Sequence, residues 1–123
     1  MRDVNNTRTM QVTSSLAMSA EESGAMICIN GQEIGSMVPL KSDRRVIAGR
    51  DPSVSNYVIP DPRVSGKHFE ITYIGALKKY RVVDYSRNGT FLKDGFRLQM
   101  NQEYYLPPKT ELWVGSGNIY KLR

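Results

Sequence analysis

The stretch that decides the fold is "HFEITYI" followed by "KYRVVDY", residues 68–74 and 79–85. In the first, Phe69, Ile71 and Tyr73 alternate with polar neighbours, the period-2 pattern of a strand with one face in a core. The second is rich in β-branched and aromatic residues and stops at the turn "SRNG". Working outward, the same texture repeats as "AMICI", "EIGSMVPL", "RRVIAGR" and "NYVI" on one side. On the other come "TFL", "FRL", "EYYL", "ELWVG" and "NIYKL". Gly, Asn, Asp or Pro separates these runs: Asn30-Gly31 reads as a hairpin turn, and Pro60 and Pro62 mark a loop. No segment after residue 24 holds a helical period for 11 residues, so the chain reads as all-β, an antiparallel sandwich or barrel.

With 123 residues, 40% apolar and 24% charged, the chain has the size and composition of one globular domain. Residues 1–24 are rich in Ser, Thr, Asn and Met without a sustained period and read as a flexible leader; residues 25–123 hold the domain. No apolar run approaches the ~20 residues of a membrane helix, and no signal h-region is evident. Cys28 is the only cysteine, so no internal disulfide forms, and a reducing nuclear or cytoplasmic location, not secretion, is expected. The Asn-x-Thr matches at Asn5 and Asn88 are read as coincidence. The 17 basic and 12 acidic residues give +5. Residues 1–24 carry two basic and three acidic residues, so the domain holds 15 against 9, a balance that favours an anionic partner.

The only histidine, His68, follows Ser65 by three residues in "VSGKH". Catalysis would need Ser65 Oγ within reach of the imidazole and a third group, for which Asp84 is the only candidate. No G-x-S-x-G elbow surrounds Ser65. One His and one Cys, 40 residues apart, make no metal site, and no cofactor is expected. The simpler reading is a His68 that bonds backbone and holds a loop. Three loops do share a chemistry. In a sandwich, the ends of "AGR", "SGKH" and "DYSRNG" cluster at one edge and bring together Arg50, Ser65, Lys67, Ser86, Arg87 and Asn88. The Asn88-Gly89 turn suits positive φ at both residues. Guanidinium, ammonium, hydroxyl and amide groups without a carboxylate are an inventory for binding an anion, or else an ordinary solvated basic edge.

"GR" at 49–50, "S-x-x-H" at 65–68 and "NG" at 88–89, in this order and set in "IAGRDP", "IPDPRVSGKHFEI", "VVDYSRNGTFLKDGFRL" and "LWVGSGNIYKL", resemble the forkhead-associated (FHA) domain over roughly residues 25–123. The resemblance implies an eleven-stranded β-sandwich that binds phosphothreonine peptides without enzymatic activity. It implies that Arg50 and Ser65 contact phosphate and that Asn88 bonds the peptide backbone. Gly49, His68 and Gly89 would be architectural, with His68 fastening the phosphate loop from behind. A small pocket for the γ-methyl would select phosphothreonine over phosphoserine. Where the family often has a side-chain donor after the loop serine, this chain has Gly66, whose N–H is expected to donate, with Lys67 beside it. Arg87 stands where threonine is common, as in "SRNGTF" of some checkpoint-type kinases, and is expected to add a contact to a second phosphate or an acidic residue. Arg63 occupies a position that in similar domains reads the third residue after the phosphothreonine, and an acidic preference there is expected.

The resemblance further implies part of a larger signalling protein such as a kinase, in DNA-damage or meiotic checkpoint signalling in the nucleus. The chain ends at Arg123, directly after the last expected strand, which also points to a longer protein. Its partner would be a threonine-phosphorylated protein. Phosphorylated Thr7, Thr9 or Thr13 would engage a second copy and drive self-association. The alternative is a nucleic-acid-binding β-barrel that stacks bases on Tyr85, Phe91 and Phe96, although core packing explains alternating aromatics more simply.

Overall fold

The computed structural model describes residues 23–123. Ten strands follow in order: β1 (Ser23–Asn30), β2 (Met37–Lys41), β3 (Arg45–Gly49), β4 (Tyr57–Val58), β5 (Phe69–Ile74), β6 (Lys79–Asp84), β7 (Thr90–Leu92), β8 (Glu103–Leu106), β9 (Glu111–Val114) and β10 (Asn118–Leu122). They form two five-stranded sheets, in the orders β2-β1-β10-β9-β7 and β4-β3-β5-β6-β8. The apolar sides meet in one core that includes Met26, Leu40, Phe69, Ile71, Val82, Leu112, Tyr120 and Leu122. Complete burial of side chains of this size stabilises by roughly 1.5–3 kcal/mol each.

The central pair forms as its alternation dictates. Phe69, Ile71 and Tyr73 of β5 enter the core, and β6 pairs with β5 from Phe69↔Asp84 to Ile74↔Lys79. The polar positions between them are also covered. Glu70 and Thr72 are buried on the outer side, where Arg81 bonds Glu70 at 2.6 Å and Glu103 at 2.7 Å, and Tyr85 Oη donates to Glu70 at 3.0 Å. Burial pushes the Glu70 carboxyl up, but the bonds from Arg81 and Tyr85 outweigh it and hold the carboxyl below its ordinary range.

Several expectations are corrected. The sandwich has ten strands instead of eleven: "FRL" contributes only the isolated bridge Phe91↔Arg97. The turn at Asp94 and Gly95 leaves room for a single bridge, and Phe96 turns to solvent, 49% exposed. The sheets are not wholly antiparallel, since β3 and β4 pair in parallel at Ala48↔Tyr57 and Gly49↔Val58. Asn30-Gly31 opens a six-residue loop, with positive φ at Gly31 and Gly35, so "EIGS" lies outside β2. β1 starts at Ser23, two residues inside the expected leader. Gly24 belongs there because a Cβ would meet Tyr80 Oη and the Tyr73 ring at 2.6–2.8 Å. The rest of the leader, with Thr7, Thr9 and Thr13, lies outside the described residues.

Candidate functional site

The loops after β3, before β5 and after β6 converge on one edge of the sandwich. Short backbone bonds lock them: Arg50 N–H donates to Ser65 O at 2.9 Å, and Asp51 N–H to Gly66 O at 3.2 Å. This approach is why residue 49 is glycine. A Cβ there would run into the Gly66 carbonyl and stand 2.7 Å from Ser55 Oγ, which itself donates to Gly66 O at 2.7 Å.

His68 sits at the centre of the arrangement, completely buried. Ser65 N–H donates to its Nδ1 at 3.0 Å, and its Nε2 lies 2.9 Å from Gly89 O. A ring that accepts at Nδ1 must carry its proton on Nε2, so the neutral Nε2–H form ties the phosphate-loop candidate to the 86–89 turn. Burial lowers the His68 pKa, against the raising effects of the Gly89 carbonyl, Asp84 and Asp61. Both nitrogens are engaged with backbone, and Ser65 Oγ instead accepts the Arg87 N–H at 3.0 Å. Ser65 and His68 are therefore not a nucleophile and its base.

Of the eight residues expected at the ligand, six line one open cleft: Arg50, Arg63, Ser65, Gly66, Arg87 and Asn88, with Pro62 and Val64. No carboxylate lines it, and among the described residues the three guanidiniums make no ion pair. Asn88 Nδ2 donates to Arg63 O at 2.9 Å, which leaves Asn88 Oδ1 and one amide hydrogen for a ligand. Only Gly89 of the Asn88-Gly89 turn has positive φ, at 100°, so Asn88 does not need the left-handed region.

Two expected contacts lie elsewhere. Lys67 Nζ lies 4.0 Å from the centroid of the Tyr85 ring, outside the cleft. Ser86 is completely buried: its Oγ donates to Asp84 Oδ1 at 2.6 Å and accepts the Gly89 N–H at 2.8 Å. Ser86 is a brace for the turn, and no ligand reaches it. Of the aromatics considered for base stacking, Tyr85 is capped by Lys67, Phe91 by Arg97 at 5.7 Å, and Phe96 lies edge-on to Tyr104. None of the three belongs to the core, contrary to the expectation from their alternation: Phe96 is 49% exposed, and Tyr85 and Phe91 lie outside the core cluster.

Sequence reasoning missed the supports. Asp61, buried to 1% exposure, accepts from Arg63 N, Ser116 N, Ser116 Oγ and Asn118 Nδ2 at 2.7–3.1 Å. Burial raises its pKa, but those four donors outweigh it and hold the carboxyl below the ordinary value. Asp61 thereby fastens the loop that carries Arg63 and Ser65 to the β9–β10 turn. Arg97 Nη2 donates to Arg87 O at 3.0 Å and steadies the 86–89 turn from outside. A signal for Asp61 was present: Asp51, Asp61, Asp84 and Asp94 each accept the N–H two residues on. That is the local turn that aspartate favours in loops.

A family model for the FHA domain matches residues 46–115. Among solved structures, the chain is similar to the FHA domain of the CT664 protein from Chlamydia trachomatis, with 24% identity and a TM-score of 0.72 over 81% of this chain and 95% of that one. It is similar to the N-terminal FHA domain of S. cerevisiae Rad53p in complex with a phosphothreonine peptide, with 27% identity and a TM-score of 0.64, covering 80% and 89%. The MEK1 FHA domain in complex with the HOP1 pThr318 peptide aligns with 18% identity and a TM-score of 0.67, covering 80% and 93%. No curated protein matches by sequence.

Proposed function

The chain belongs to the FHA-domain family, and from that premise we propose that its cleft binds threonine-phosphorylated peptides as an interaction module. The observation that carries this reading is the cleft itself: Arg50, Arg63 and Arg87 gathered without a carboxylate around the Ser65–Gly66 loop. A phosphate dianion supplies the missing charge. Arg50 offers a planar fork and Ser65 a hydroxyl hydrogen, because Ser65 Oγ already accepts from Arg87 N–H. The Gly66 N–H adds a backbone donor, and Asn88 is left to grip the peptide main chain. Charge-assisted bonds of this kind contribute about 1.5–3 kcal/mol each.

Arg63 and Asn88 also border a second cavity, walled by Phe91, Leu92, Trp113 and Val114 with Lys93 at its rim. A peptide that leaves the phosphate by Arg63 enters this cavity, and an acidic residue there is favoured. Arg87 is free to meet a second phosphate or acidic group. The wider setting we propose is a larger signalling protein of the checkpoint-kinase kind, nuclear, with self-association through a phosphorylated N-terminal threonine. It draws on the likeness to the Rad53p and MEK1 domains.

Titration with matched phosphothreonine, phosphoserine and unphosphorylated peptides from an oriented library tests the reading. Binding is expected for phosphothreonine, weaker for phosphoserine, and lost in Arg50→Ala. Equal binding of the unphosphorylated peptide, or oligonucleotide binding with a steep salt slope in its place, overturns it.

A further inference from the structure

The end of the sandwich opposite the phosphate cleft is built from turns that a peptide in the cleft does not meet. It lies the length of β5 and β6 away, six residues each and so about 20 Å. Short bonds join its loops into one surface. Asp43 N–H donates to Tyr73 O at 2.8 Å and Gly75 N–H to Ser42 Oγ at 3.0 Å, which ties the β2–β3 loop to the β5–β6 turn. Lys109 N–H donates to Leu122 O at 2.6 Å and Arg123 N–H to Ala25 O at 2.9 Å. Tyr80 Oη donates to Arg123 O at 3.0 Å. The β8–β9 turn, the end of β10 and the start of β6 are thereby neighbours.

This pole is cationic. The β2–β3 loop and its flank expose Lys41 and Arg44, the β5–β6 turn exposes Lys78 and Lys79, and the far side exposes Lys109 and Arg123. None of these six makes an ion pair among the described residues, and Asp43 is the only carboxylate in the three loops. Glu21 and Glu22 precede Ser23 in the sequence, and setting both against the cations still leaves six to three. The backbone adds an independent sign. Lys78 and Lys109 turn the chain at φ of 53° and 76°, a left-handed conformation that is free of strain for glycine and not for lysine. Strain kept at a surface turn points to a use for the side chain that bears it.

We propose that this pole binds the phosphate backbone of a nucleic-acid duplex, independently of what the cleft holds. The dimensions agree. The strands β2-β1-β10-β9 cross the surface at about 5 Å apiece, so it runs about 15 Å one way and the sheet separation of about 10 Å the other. A duplex carries about nine phosphate charges along the longer of these lengths, enough to face all six cations, where a lone phosphate group meets one or two. A cationic patch confined to one end of a domain is the electrostatic footprint of such a partner. No aromatic side chain stands in the three loops, which argues against single strands, whose bases stack on rings. Leu77, 55% exposed, is their one exposed large hydrophobic, too little apolar area to anchor on a lipid surface. Contacts to backbone phosphates carry no base readout, so binding is independent of sequence.

Fluorescence anisotropy of the full chain with a labelled DNA duplex of about 20 base pairs reads the interaction. Micromolar binding is expected at low salt, with log K falling against log salt at a slope of about −5 for six phosphates neutralised. The triple variant Arg44→Gln, Lys78→Gln, Lys79→Gln is expected to lose at least tenfold in affinity and to bring the slope to about −3, with its melting temperature retained. Its charge-matched counterpart at the other end, Arg50→Gln, Arg63→Gln, Arg87→Gln, should bind the duplex within about twofold of the parent. Equal losses in the two variants overturn the proposal, because net charge alone would then account for binding. A parent that does not bind the duplex also overturns it, and attachment to vesicles containing phosphatidylserine in that case assigns the pole to a lipid surface instead.

Discussion

His68→Ala separates a fastening histidine from a reactive one. The substitution empties a completely buried site, and large-to-small changes in such sites cost about 2–4 kcal/mol. It also strands the Gly89 carbonyl, an acceptor at the heart of the turn, for roughly 1–3 kcal/mol more. Ser65 N–H, only part-buried, recovers some of its loss from water. The total of about 3–7 kcal/mol corresponds to a fall of roughly 15–40 °C in Tm for a domain of this size. Calorimetry or circular-dichroism melting reads it. Two milder variants divide the effect. In His68→Asn, Oδ1 stands near the place of Nδ1 and keeps the tie to Ser65; in His68→Gln, the amide nitrogen stands near Nε2 and keeps the tie to Gly89. If the Ser65 loop holds the phosphate, His68→Asn retains more phosphopeptide affinity than His68→Gln. A His68→Ala protein that melts within about 3 °C of the parent would refute the fastening role, because no clamp of two backbone bonds with a filled core site is lost so cheaply.

Acid should loosen the domain in two steps. His68 titrates lower in the fold than its ordinary 6.5, so below that pH the unfolded chain takes up the proton first and stability falls, by at most about 1.4 kcal/mol per pH unit. Asp61 is held below its ordinary 3.8; its stabilisation is present above that value and is lost only as the pH falls further. Urea midpoints measured from pH 7.5 down to about 2 check this, and His68→Asn should flatten the first step. Gly49→Ala should cost about 2–4 kcal/mol and weaken phosphopeptide binding at least tenfold, since the Cβ forces the Arg50 and Gly66 loops apart; unfolding curves with a binding titration decide it. Ser86→Ala strands the Gly89 N–H and should lower stability by roughly 1–3 kcal/mol, whereas Ser65→Ala should weaken binding and barely move Tm.

Strand existence was legible because burial on one face writes itself into the sequence every second residue. Ten of the eleven expected runs became strands, and the exception, residues 96–98, is short and tied by one bridge to an edge strand. Loop membership was legible too: Arg50, Arg63, Ser65, Gly66, Arg87 and Asn88 do share a cleft. Side-chain direction within a loop has no period to betray it, so Ser86 and Lys67 read like their neighbours although one turns inward and the other lies on Tyr85. The parallel β3–β4 pair was hidden for a related reason. Two residues are too few to show a pattern, and their pairing is set by Asn56, whose Oδ1 accepts from Ile47 N–H while its N–H donates to Ile47 O.

The Asp61 anchorage has a bearing on how the protein is made. Its partners Ser116 and Asn118 stand 55 and 57 residues later in the chain, and Asn118 in turn accepts from Gln32 N–H beside the first strand. A ribosome releases Arg50, Ser65 and Asn88 well before it releases the residues that hold their loop in place. A nascent chain therefore displays the binding groups but not their arrangement, and competence to capture a partner arrives only with the final hairpin.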